Sequence, residues 1–224
     1  MELNLKEGEA EFKRLDVFGS RGYILARPSK QIIKTLTEKV QKIESGFDRA
    51  IPYNDKLAGQ IDKEYQIEPW NDLELYLLNL SKAYNEGAPN YMKKNDLFDP
   101  ASKPNPMIKL SALWVNFQEK YEYNPPHNHS GLYSFVIWHK IPFTREDEIK
   151  FGPGKGKTQY NTNGNFCFLL GDGDHVASQN LPVDKSWENV MAFFPSDLYH
   201  QVYPFYSSDE YRVTVSGNLY ISSI

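Results

Sequence analysis

Apolar positions recur at helical spacing in the first half of the chain, whereas from about residue 107 they gather in short runs. Ile32, Ile33, Leu36, Val40 and Ile43 fall on one face of a 3.6-residue period. Ser29 can cap a helix there, and Gly46 can stop it. Just before it, Tyr23 to Ala26 is a short apolar run bounded by Gly22 and Pro28, which predicts a strand. A second helix is predicted from Asp72 to Glu86, with Asn71 and Glu74 spaced as a capping box and Gly87 as its end. Residues 47–70 show no clear period, and Pro100, Pro104 and Pro106 mark residues 97–106 as a connector.

Beyond Met107 the runs are aromatic and β-branched: Ile108 to Phe117, Leu132 to Ile141, Phe166 to Leu170, Val190 to Phe194 and Tyr211 to Tyr220. Turn-rich stretches such as Gly152–Gly156 and Gly171–Asp174 separate them. Several short strands joined by irregular loops predict a mainly β protein, an antiparallel sandwich or jelly roll with helices packed on one sheet. The expected organisation is one domain over 1–224, with 1–106 as a mixed helical support and 107–224 as the core strands.

Composition narrows the class. Net charge is −4 with both signs interspersed, which leaves no basic footprint for nucleic-acid backbone and speaks against a nucleic-acid partner. No apolar run is long enough to span a membrane, and the first residues have no secretory pattern. Cys167 is the only cysteine, which suits a reducing compartment; a cytoplasmic location is expected. Lying between Phe166 and Phe168, it reads as a buried small hydrophobe.

The candidate chemistry lies in four residues. His127 and His129 are two apart, so on an extended strand both rings share a face, and His200 follows far downstream. Three imidazoles could hold a metal and leave one side of it open. Arg212 opens a strand on which Arg212, Thr214, Ser216 and Asn218 alternate with Tyr211, Val213, Val215, Gly217 and Leu219. Facing inward, the polar row would line a pocket where Arg212 and Thr214 grip a carboxylate. Plainer readings exist for each residue: a polar loop for His127 and His129, a surface position for His200, and a solvated strand face for Arg212. His139 reads as structural, and Asp172, Asp174 and His175 as a solvated loop. The Gly152–Gly156 stretch lacks the strand-to-helix setting of a phosphate loop.

Together these residues resemble the Fe(II)- and 2-oxoglutarate-dependent oxygenases, which show His-x-Asp/Glu, a distal His and then Arg-x-Ser/Thr. The stretches from Tyr123 to Gly131 and from Phe194 to His200 look like prolyl-hydroxylase-like members encoded by bacteriophages and some bacteria; a phage-encoded protein would work in the host cytoplasm. The resemblance covers about residues 107–220. It implies a double-stranded β-helix, with Fe(II) held by His127, His129 and His200. It also implies 2-oxoglutarate as co-substrate, its distal carboxylate bound by Arg212 and Thr214. Asn116, Tyr123 and Tyr133 are further pocket candidates. Here His129 stands where the family usually has a carboxylate, and Glu122 is an alternative third ligand. The implied activity is hydroxylation of a peptidyl or free amino acid, with proline first. Two other readings stay open: a cupin-like metal dioxygenase without 2-oxoglutarate, though the expected cupin glutamate is missing, and a non-catalytic jelly-roll binding module.

Overall fold

Two-residue alternation along the central strands, interrupted by register shifts of the last strand at Val213/Thr214 and Asn218/Leu219, builds the architecture. In the computed structural model, which describes residues 4–15, 21–88, 107–158, 160–172 and 175–222, eleven strands form two antiparallel sheets. The large sheet is ordered β1 (Ala10–Arg14), β2 (Gly22–Ala26), β9 (Val190–Pro195), β6 (Tyr133–Lys140), β11 (Arg212–Ser222), β4 (Met107–Gln118), β3 (Glu64–Gln66). The small sheet is ordered β5 (Asn124–His127), β10 (His200–Val202), β7 (Phe166–Asp172), β8 (His175–Leu181). The fold is a jelly roll with helices on the outside of the large sheet.

Each large-sheet strand serves two layers. Leu113, Val115 and Phe117 of β4, Tyr133, Phe135 and Ile137 of β6, Met191 and Phe193 of β9, and Val213 and Val215 of β11 pack under the helices. Val136, Trp138, Ala192 and Phe194 point the other way and meet Phe166, Phe168 and Leu181 of the small sheet. Two apolar layers thus come from one pleat. The row Arg212, Thr214, Asn218 also points into this sandwich and is buried, so the polar face of the last strand is interior and not solvated.

The helices cover the outer face. In α1 (Lys30–Glu44), Ser29 caps through its hydroxyl, which accepts from the Ile32 N–H, and Ile32, Leu36 and Val40 are buried. In α2 (Asn71–Gly87), Leu73, Leu77, Leu80 and Tyr84 are buried. The Tyr84 hydroxyl accepts from Gly22 N–H at 3.2 Å and donates to Gly22 O at 3.1 Å, pinning α2 to β2. The expected capping box does not form: Asn71 is already helical, and Trp70 occupies the cap position without a side-chain bond. A third helix, α3 (Arg145–Phe151), is capped by Thr144. The predicted connector at 97–106 lies outside the described residues, as do Gly173 and Asp174; Asp172 and His175 pair between β7 and β8. Among the described residues, no helix is long and apolar enough to cross a membrane.

Candidate metal centre

Strand register brings the histidines together. His127 closes β5 and lies directly opposite His200, which opens β10. His129 lies just past the end of β5 rather than within a strand. There its backbone N–H donates to Ser196 O at 2.8 Å, and the chain turns at Gly131 with a φ of +117° that favours glycine. A Cβ on Gly131 would come 2.9 Å from Leu219 O, so the turn can sit this close to β11 only with glycine.

The ring centroids are 4.3 Å apart for His127 and His200, 5.0 Å for His127 and His129, and 5.1 Å for His129 and His200. One nitrogen from each ring lies within 4.8 Å of the others. Phe166 stacks on His200, and Trp114 meets His129 edge-on, so the rings are held by aromatic packing. His127 Nδ1 lies 2.7 Å from Pro125 O, and His200 Nδ1 lies 3.0 Å from Leu198 O. Nδ1–H donating to these carbonyls leaves each Nε2 lone pair free for a metal. Burial pulls the pKa of His127 down and that of His129 down to about 3, and places His200 well below its ordinary value. All three are therefore neutral at pH 7, the form that ligates. A set of three imidazoles fits Fe(II) as well as other first-row dications. Among the described residues no carboxylate joins this group. Glu122 is engaged elsewhere, accepting from the backbone N–H of Asp62 and of Glu119.

Across the sandwich, the large sheet presents Trp114, Asn116, Gln118, Arg212, Thr214 and Ser216 to the same cavity. Asn116 Nδ2 donates to Thr214 Oγ1 at 3.1 Å. Arg212 is 1 % exposed. Its Nε and Nη2 donate to Gln118 Oε1, Nη1 to Gly164 O and Nη2 also to Tyr203 O, while Phe143 and Phe205 lie 5.8 and 5.6 Å from its central carbon. Burial lowers its pKa to about 9, so the charge persists at neutral pH.

Two pocket candidates fall elsewhere. Tyr133 is on the helix-facing side of β6, where its hydroxyl donates to Asn85 Oδ1 at 2.8 Å. Tyr123 is 44 % exposed, and its backbone oxygen accepts from Gln60 N–H. Conversely, Glu64 of β3 lines the cavity although it lies in the aperiodic stretch 47–70. Its only sequence signal is an acidic residue in the weak alternation before Ile67.

No sequence-family model matches the chain, and no curated protein is similar to it in sequence. Solved structures do share its fold. A Pseudomonas putida prolyl-4-hydroxylase superposes with a TM-score of 0.55 at 12 % identity, covering 93 % of this chain and 97 % of its own. AviO1 from Streptomyces viridochromogenes Tue57 superposes with a TM-score of 0.51 at 13 % identity, covering 92 % and 91 %. At such identities the likeness is one of fold.

Proposed function

We propose that this protein is an Fe(II)- and 2-oxoglutarate-dependent oxygenase that hydroxylates an amino-acid side chain, free or in a peptide. The observation that carries this reading is the convergence of three neutral imidazoles on one point of a jelly-roll cavity, with a buried guanidinium lining the same cavity from the facing sheet. His127, His129 and His200 would hold the iron. When bound, iron with 2-oxoglutarate supplies oxidative chemistry: dioxygen is consumed, 2-oxoglutarate becomes succinate and carbon dioxide, and one oxygen atom enters a substrate C–H bond.

The chain's own share is binding, orientation and exclusion of water. Arg212 would take the distal carboxylate of 2-oxoglutarate, with the Thr214 hydroxyl as a second donor and Asn116 holding Thr214 in place. The carboxylate would displace Gln118 Oε1 from the guanidinium edge. Phe166, Phe194 and Trp138 line the cavity, where their rings would keep bulk water out. The fold shared with a prolyl-4-hydroxylase makes a prolyl peptide the first substrate to try.

Purified protein with Fe(II) and 1-labelled 2-oxoglutarate is expected to release labelled carbon dioxide slowly even without substrate. Arg212→Lys keeps the charge but loses the fork, and should lower this release by roughly tenfold or more. Metal retention without any release would favour the cupin-like dioxygenase. Absence of metal binding would favour a binding module.

A further inference from the structure

The wall beside the histidines carries hydrogen-bond acceptors that nothing among the described residues answers. Glu64, Asn116 and Thr214 are successive cross-strand neighbours on β3, β4 and β11. Glu64 is 1 % exposed, yet its Oε1 has no hydrogen-bond partner, and its Oε2 has only a long 3.5 Å contact from Asn54 Nδ2. Asn116 is 5 % exposed; its amide N–H is spent on Thr214, and its Oδ1 is unpartnered. From the facing sheet Asn124, the first residue of β5, adds another buried oxygen without a partner. All three residues line the cavity that holds His127, His129 and His200.

The acceptors also converge. A Cβ on Gly59 would fall 2.5 Å from Asn124 Oδ1 and 3.0 Å from Glu64 Oε1, so the bare backbone of the covering loop lies against both. Among the described residues no lysine or arginine pairs with Glu64. A buried carboxylate without a cation is costly, and removing one partner of a buried pair is the usual way to create that cost. Among the described residues that partner is absent. Burial, reinforced by the charge of Glu122, accordingly raises the pKa of Glu64 to about 7. Three buried oxygens, Glu64 Oε1, Asn116 Oδ1 and Asn124 Oδ1, that no described N–H or cation answers are half of a recognition site.

We propose that Glu64, with Asn116 and Asn124, receives a cationic nitrogen group of the primary substrate, an ammonium or a guanidinium. The inference rests on the oxygenase reading only for what happens to that substrate afterwards; the binding itself does not require it. The group could arrive on a free basic amino acid or on a lysyl or arginyl side chain of a peptide. In both cases the charge would be neutralised against Glu64 while the aliphatic stem lies toward the histidines.

Calorimetry on the full chain tests this with L-lysine, L-arginine and N- and C-terminally capped peptides carrying one lysine or arginine, compared with L-norleucine and the matching capped norleucine peptide, whose side chain is uncharged. At least one cationic probe should bind at least tenfold more tightly than its norleucine counterpart, and the tighter of the free and peptide forms identifies the source. Glu64→Gln, close in shape but neutral, should abolish that preference without lowering the melting temperature of the ligand-free protein. Asn124→Leu should weaken the cationic probe severalfold and leave norleucine unchanged. Equal binding of lysine, arginine and norleucine, no binding of any probe, or a preference that survives Glu64→Gln would overturn the proposal. The same preparations are titrated anaerobically with Fe(II) and 2-oxoglutarate. Failure of that complex alone, with cation binding intact, would sink the oxygenase reading and leave the cation subsite standing.

Discussion

Gln118 Oε1 accepts two hydrogen bonds from Arg212, from Nε at 2.9 Å and from Nη2 at 2.6 Å, along the guanidinium edge that a carboxylate would use. Gln118 is itself held by donating from Nε2 to Glu122 O at 2.6 Å. Its amide oxygen therefore satisfies a buried cation and competes with any carboxylate for it. Gln118→Ala should destabilise the protein by about 1.5–3 kcal/mol in the absence of 2-oxoglutarate. The rise in melting temperature on adding 2-oxoglutarate should be larger in the variant than in the wild type. Thermal unfolding with and without 2-oxoglutarate measures both.

The loop that holds Arg212 from above depends on one carboxylate. Glu148 of α3 is fully buried and accepts from the N–H of Tyr206 and of Ser207 and from the Ser207 hydroxyl. Phe205, next in the chain, packs on the guanidinium of Arg212. Glu148→Ala should cost about 2–4 kcal/mol in denaturant unfolding, because three donors lose their acceptor. It should also weaken 2-oxoglutarate binding, although Glu148 is not proposed to touch it.

The histidines make the metal-free protein sensitive to acid. They are neutral when folded, His129 down to about pH 3, whereas an exposed histidine takes up a proton below about pH 6.5. In that window the unfolded state binds more protons, so stability falls as pH drops. His129 alone contributes a slope of up to about 1.4 kcal/mol per pH unit. Unfolding of the metal-free protein between pH 5 and 7 should show a shallower slope in His129→Gln than in the wild type.

Glu64 acts in the opposite sense. Its folded pKa of about 7 is above the ordinary 4.5, so the folded state keeps the extra proton between those values. Stability is lost as pH rises through that window. Glu64→Gln should therefore gain on the wild type by up to about 3 kcal/mol between pH 4.5 and 8, without ligand. Paired melting curves at the two pH values check this.

The central strands were legible from pattern, apolar runs with both faces buried for β6 and β9 and two-residue alternation for β11; β4, β6, β9 and β11 all begin and end close to the expected positions. The edge strands were not. Asn124-Pro125-Pro126-His127 reads as a loop because two prolines cannot donate to a ladder, but β5 pairs on one side only, where proline is tolerated. β8 is polar and also lies at an edge. The periodicity of β11 showed which residues share a face, but could not show that a second sheet covers the polar one. The same limit misplaced Tyr133, whose odd position on β6 turns it toward α2 rather than the histidines. Glu64 was invisible because three residues of strand carry too little pattern, and only pairing with β4 brings it to the cavity.

The most direct measurement is a structure of the Fe(II)-loaded protein determined without oxygen, with and without 2-oxoglutarate. The account predicts one iron bonded to Nε2 of His127, His129 and His200, and 2-oxoglutarate bridging from that iron to Arg212 with Gln118 displaced. Iron bound elsewhere or by fewer than these three rings, or a 2-oxoglutarate that leaves the Arg212–Gln118 pair intact, would contradict it.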